Sequence, residues 1–116
     1  MTTVFLYGEG LAESGPPGWV AGLPARPAWV RGVLWRGARP QHRMVPGEGA
    51  GTVDGTVIEV DPARLAVLDL VLAGPGVERR PVRASVGLRP VRAEAWVLPD
   101  TRVAEREGYR PLRRSP

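Results

Sequence analysis

Glycine and proline, 15 and 13 of the 116 residues, punctuate this chain so often that long helices are excluded over most of it. One stretch escapes, "VDPARLAVLDLVLAGPG", residues 60 to 76. Asp61 suits a helix N-cap and Pro62 the first helical position. Leu65, Leu68 and Leu72 follow on one apolar face. Ala73-Gly74-Pro75-Gly76 ends the helix.

The rest reads as short strands. Residues 3 to 7 form a buried strand closed by Gly8. Residues 11 to 28 hold four prolines and three glycines and leave room for one helical turn at most. "AWVRGVLWR", residues 28 to 36, is a strand with Gly32 at a bulge. Residues 37 to 51 are mostly loop, with a short strand around His42 to Val45. In "TVDGTVIEV", residues 52 to 60, Thr56, Ile58 and Val60 face one side; Val53, Gly55, Val57 and Glu59 face the other. Residues 78 to 86 and 91 to 98 form a hairpin around Gly87-Leu88-Arg89-Pro90, with Pro81 at an edge. Asp100 caps a short helix from 101 to 107, stopped by Gly108. The sum is an α+β chain: a small, mostly antiparallel barrel or curled sheet of five to six strands with one main helix. Residues 1–99 make a single domain, and residues 100–116 a short helix and a mobile basic tail.

Composition narrows the chemistry. No cysteine means no disulfide framework and no thiolate metal site. A lone histidine, His42, read as an exposed loop residue, argues against a histidine metal site or a Ser-His-Asp triad. No apolar run approaches the ~20 residues of a membrane helix, and Met1-Thr2-Thr3 does not open a signal peptide; a cytoplasmic protein is expected. All basic residues are arginine, and asparagine is absent, which suggests a GC-rich genome and a thermophilic source. The net charge of +4 and pI of about 10.9 permit nucleic-acid binding. With twelve carboxylates interspersed, a solvated mixed-charge surface is the simpler reading. Trp19, Trp29, Trp35 and Trp96 read as core or rim rather than as a stacking platform. Arg110, Arg113 and Arg114 form the densest basic cluster.

The ordered set "VFLYGEGL", "VRGVLW", "GTVDGTVIEVDPARLAVLD", "VERRPVRASV" and "AEAWVL" resembles the gamma-glutamylcyclotransferase-like family over residues 3 to 99. The first stretch is similar to the family's opening strand and Tyr-Gly-Ser-Leu loop, the third to its Val-x-Gly strand and the helix ending in Leu-Asp. The resemblance implies release of 5-oxoproline: the α-amine of a gamma-glutamyl compound attacks its own γ-carbonyl. The attack is intramolecular, so folding the substrate supplies much of the rate. One carboxylate serves as general base and then general acid, and loop N–H groups hold the oxyanion. No metal or cofactor is implied.

The resemblance also locates departures. The family's acid/base is the glutamate of Leu-Asp-x-x-Glu; here the stretch is Leu68-Asp69-Leu70-Val71-Leu72, and Leu72 cannot transfer protons. The loop serine is Glu9, the loop leucine is Gly10, and a late tyrosine is Leu98. Tyr7, Gly8, Glu9, Gly10 and Leu11 are the expected substrate-binding loop, suited to an amine or amino-acid-like molecule because Glu9 repels a carboxylate. Three functions follow. One is a divergent member that keeps this small-molecule pocket without the acid/base. The second is an active cyclotransferase with a relocated carboxylate, Glu9 or Glu78; each also reads as an ordinary surface charge. The third is an arginine-based nucleic-acid or partner-binding module. Tyr7 also reads as an inward-packed strand end, and Asp69 as a brace near the helix end. Glu59 and Glu94, mid-strand, call for arginine partners if inward, with Arg80, Arg83 and Arg92 at hand.

Overall fold

The computed structural model describes residues 1–7, 22–37, 42–47 and 51–112. The elements are β1 (Thr2–Tyr7), β2 (Ala25–Arg36), β3 (His42–Pro46), β4 (Thr52–Val60), α1 (Pro62–Val71), β5 (Glu78–Val86), β6 (Arg89–Val97), α2 (Thr101–Arg106) and β7 (Arg110–Pro111). The sheet runs β3-β2-β4-β1-β6-β5, and β5 returns to β2 through Trp29↔Ser85 and Val30↔Ala84. Strands β2, β4, β1, β6 and β5 therefore close a five-stranded barrel. It is mixed, because β1 meets β6 in parallel at Val4↔Glu94 while its other ladders are antiparallel.

Strand alternation divides the apolar residues between the barrel and its outer cover. Phe5, Val53, Val57, Val82, Ala84, Ala93, Ala95 and Val97 pack together with Tyr7. The alternate residues Val4, Leu6, Ile58, Val60 and Trp96 face outward and are covered by Leu68 and Leu72 of α1. Val53 and Val57 on one face of β4 and Ile58 and Val60 on the other are thus buried, Gly55 and Thr56 are half-buried, and Thr52, Asp54 and Glu59 are exposed. The inward face of the hairpin is the Val82, Ala84, Ala93, Ala95 side.

Helix α1 forms as its sequence dictates. The Asp61 carboxylate accepts from the Arg64 N–H at 2.8 Å and from the Arg64 guanidinium at 2.6 Å. These contacts hold its carboxyl below the usual range, the backbone N–H being the larger cause. At the other end the Asp69 carboxylate accepts from Trp96 Nε1 at 3.0 Å and from Arg79 at 2.7 Å. Asp69 is therefore a brace, between helix and hairpin.

Three details differ from expectation. β2 begins at Ala25, running through Pro27; residues 25 to 28 pair with β4 alone, and such an edge tolerates proline. Gly32 marks a change of partner: β2 pairs with β4 up to Arg31↔Thr52 and with β3 from Gly32↔Pro46. A Cβ there would lie 2.7 Å from the Val45 carbonyl oxygen. Third, the expected mobile tail joins the sheet as far as Leu112. β7 pairs with β2 at Trp35↔Pro111 and Arg36↔Arg110, and the Leu112 N–H donates to the Leu34 carbonyl at 3.0 Å. α2, capped by Asp100 on the Val103 N–H at 2.8 Å, buries Ala104 against Trp35, Val45 and Leu98. Arg113 and Arg114 lie outside the described residues.

The tightest backbone approach is at Gly55, opposite Tyr7 on β1. A Cβ there would collide with the Leu6 carbonyl oxygen and stand 2.8 Å from the Phe5 ring. Gly55→Ala is expected to cost at least about 2 kcal/mol by overpacking, read as a lowered urea midpoint at unchanged m-value.

Candidate functional site

The site lies where the end of β1 meets β3, β6 and the C-terminal end of α1. Each element supplies a residue to one small cavity lined by Phe5, Leu6, Tyr7, Arg43, Leu72 and Trp96. Its volume is about 10 Å³, room for about one water.

Tyr7 holds this junction together. Its ring is buried and stacked on Phe5, two residues earlier on the same face, with centroids 5.8 Å apart. Its hydroxyl donates to the Trp96 carbonyl at 2.6 Å and accepts from the Met44 N–H at 2.8 Å. One side chain thus ties β1 to β3 and β6. Burial pushes its phenol up to about 12; the Met44 N–H and the Arg43 guanidinium pull the other way and lose.

Leu72 is the C-cap of α1, its N–H donating to the Leu68 carbonyl at 2.8 Å. Its side chain is 7% exposed and lines the cavity. The position that the resemblance gives to a proton-transferring carboxylate therefore carries an apolar wall. Arg43, on β3, is a buried cation at 6% exposure on the same cavity, near the Tyr7 hydroxyl.

The described carboxylates lie elsewhere. Glu78 starts β5 exposed and pairs with Arg80 at 3.4 Å. Glu94 pairs with Arg79 at 3.6 Å, and Glu59 is exposed near the end of β4. Among the described residues no carboxylate lines the Tyr7 cavity. Gly8, Glu9, Gly10 and Leu11 lie outside the described residues, as does Trp19.

Sequence reading identified Tyr7 and Leu72 but missed Arg43 and Trp96 as companions. The short strand expected around His42 to Val45 is β3, and His42, also read as an exposed loop residue, is half-buried at its start. The apolar pair Met44-Val45 beside it was the available signal that Arg43 is drawn inward with the strand. Leu98, the departure at the family's late tyrosine, is fully buried with Trp35 and Val45. Trp35 and Trp96 are core, whereas Trp29 is 38% exposed.

Residues 4–113 match the protein family described as gamma-glutamyl cyclotransferase, AIG2-like. A search of curated protein sequences found no match. Among solved structures, an Arabidopsis thaliana protein shares 25% identity at a TM-score of 0.66, over 88% of this chain and 66% of its own. A mouse AIG2-like protein is 20% identical with a TM-score of 0.64, over 99% of both chains. A protein titled gamma-glutamyl cyclotransferase is 12% identical with a TM-score of 0.61, over 95% of this chain and 69% of that one. These likenesses establish the small α+β barrel fold.

Tyr7→Phe tests the junction. It strands the Met44 N–H and Trp96 carbonyl and is expected to cost about 1–3 kcal/mol. The pH dependence follows from the raised phenol. Between the unfolded pKa of about 10 and the native value of about 12, the native state binds more protons. Stability is therefore fully present below pH ~10 and falls as pH rises toward ~12, by roughly 3 kcal/mol. Urea titrations from pH 9 to 12 should show this component in the parent and lack it in Tyr7→Phe.

Proposed function

The chain belongs to the gamma-glutamyl cyclotransferase, AIG2-like family, and from that premise we propose a member that has given up the family's acid/base and does not release 5-oxoproline. Leu72 is the observation that carries this reading. Cyclisation of a gamma-glutamyl compound requires a proton to leave the attacking amine and another to reach the departing nitrogen. The resemblance assigns both transfers to the place of Leu72, a hydrocarbon buried against Leu68 and Trp96. The nearby Arg43 guanidinium offers only hydrogen-bond donors and is no base. The Tyr7 phenol, held near 12 and engaged at both lone partners, releases no proton near neutrality.

What the chain keeps, on this proposal, is a small-molecule site beside Tyr7, Gly8, Glu9, Gly10 and Leu11. Its ligand is amine- or amino-acid-like, because Glu9 would favour an ammonium group. The cavity behind Tyr7 admits about one water, so the ligand would rest outside it, against the loop.

Incubation with a panel of gamma-glutamyl amino acids and amines, followed by chromatography for 5-oxoproline, is expected to show no product above the enzyme-free rate. Turnover abolished by Glu9→Gln or Glu78→Gln would replace the proposal with a relocated acid/base. Leu72→Glu is expected to restore no activity on its own. It should also lower stability by at least about 2 kcal/mol at pH 8.

A further inference from the structure

The outer face of the barrel has two ends with different fates. At one end α1 covers β5 and β6, where Trp96, Arg79 and Glu94 engage Asp69 or one another. At the other end the same face is open. There Arg83 and Arg92 stand directly opposite each other across the β5–β6 ladder, both exposed. Like charges in that position destabilise a sheet, yet among the described residues neither arginine joins an ion pair.

The row continues onto β2. Val30↔Ala84 is a pair of inward residues at the barrel closure. Arg31 and Arg83 therefore face outward, one step beyond it. Arg31 is exposed and likewise joins no ion pair among the described residues. Three guanidinium groups thus occupy three neighbouring strands, a span of about 10 Å at the usual strand spacing. Trp29, two residues before Arg31, presents part of its ring on this face beside Ser85. A groove of about 400 Å³ lined by Pro81, Val82, Arg83, Pro90, Val91 and Arg92 runs alongside. Asp54, across from Trp29 on β4, is the carboxylate on the far side of the tryptophan.

We propose that this face binds single-stranded nucleic acid, with phosphates on Arg31, Arg83 and Arg92 and a base against Trp29. The span exceeds one phosphate, so the row matches a chain of anionic groups. Guanidinium forks suit phosphate oxygens, and an exposed indole beside them gives an unpaired base its stacking partner. An acidic peptide would satisfy the cations but leave Trp29 unused. The face shares no residue with the Tyr7 cavity, so it stands or falls apart from the proposed function.

Fluorescence anisotropy of a labelled 12-nucleotide oligothymidine, titrated with the full chain between 50 and 200 mM salt, tests this. Saturable binding is expected, with log K falling against log salt at a slope of about −2 for three phosphates. Arg83→Gln/Arg92→Gln should weaken binding at least tenfold and flatten the slope by about 1.4. Trp29→Ala should weaken it at least about fivefold with the slope kept, and Trp29→Phe should retain most of the affinity. Arg102→Gln, on α2, should leave binding unchanged. Absence of saturable binding at 50 mM salt would overturn the proposal. So would equal losses for Arg102→Gln and the double variant, which would mean diffuse charge. Displacement by polyglutamate as effective as by unlabelled oligothymidine, with Trp29→Ala silent, would assign the face to an acidic partner instead.

Discussion

Everything in this fold depends on how many neighbours β2 serves. Its 12 residues pair with β4, β5, β3 and β7. The first half closes the barrel and the second half carries the extension that α2 packs against. A strand can change partners midway only if its backbone approaches another strand closely at the switch. Gly32 permits that approach, since any side chain would meet the Val45 carbonyl. Barrel, extension and site geometry are therefore coupled through one covalent segment rather than through a large hydrophobic core alone.

The site inherits its character from that coupling. β3 is held beside β6 by β2 at one side and by the Tyr7 hydroxyl at the other, and this brings Arg43 to the end of α1. In such a place a carboxylate at the helix C-cap would meet a buried arginine and a buried phenol. The chain has leucine instead, and the helix end is sealed by hydrocarbon. The opening "LYGEGL" takes on a different weight as a result. Tyr7 is structural first, a bridge across three strands.

What could be read in the sequence was what is local. The cap Asp61, the leucine spacing of α1, the alternation of β4 and the hairpin are encoded within a few residues of where they act, and the structure has them. The run of short strands already pointed to a barrel or curled sheet, and the family resemblance singled out Leu72. The cavity was not legible as a whole, because Tyr7, Arg43, Leu72 and Trp96 are brought together by pairings across long stretches of chain. Arg43 fell within the short strand expected around His42 to Val45, but only the strand pairing reveals that β3 is buried on both faces. The strand at Arg110–Pro111 was hidden for the same reason: two residues containing a proline carry no strand signal, and only the exposed second half of β2 makes them one.

The parallel contact between β1 and β6 has a consequence for synthesis. β1 sits between β4 and β6, so it emerges from the ribosome long before either partner. Val4, Phe5, Leu6 and Tyr7 are all apolar or aromatic and all end up buried, packed against residues from distant parts of the chain. Contacts of such sequence separation form slowly, and unpaired strand edges invite association between nascent chains. The interval between making β1 and completing β6 is thus the period of greatest vulnerability for this barrel, set by chain connectivity rather than by the strength of any finished contact.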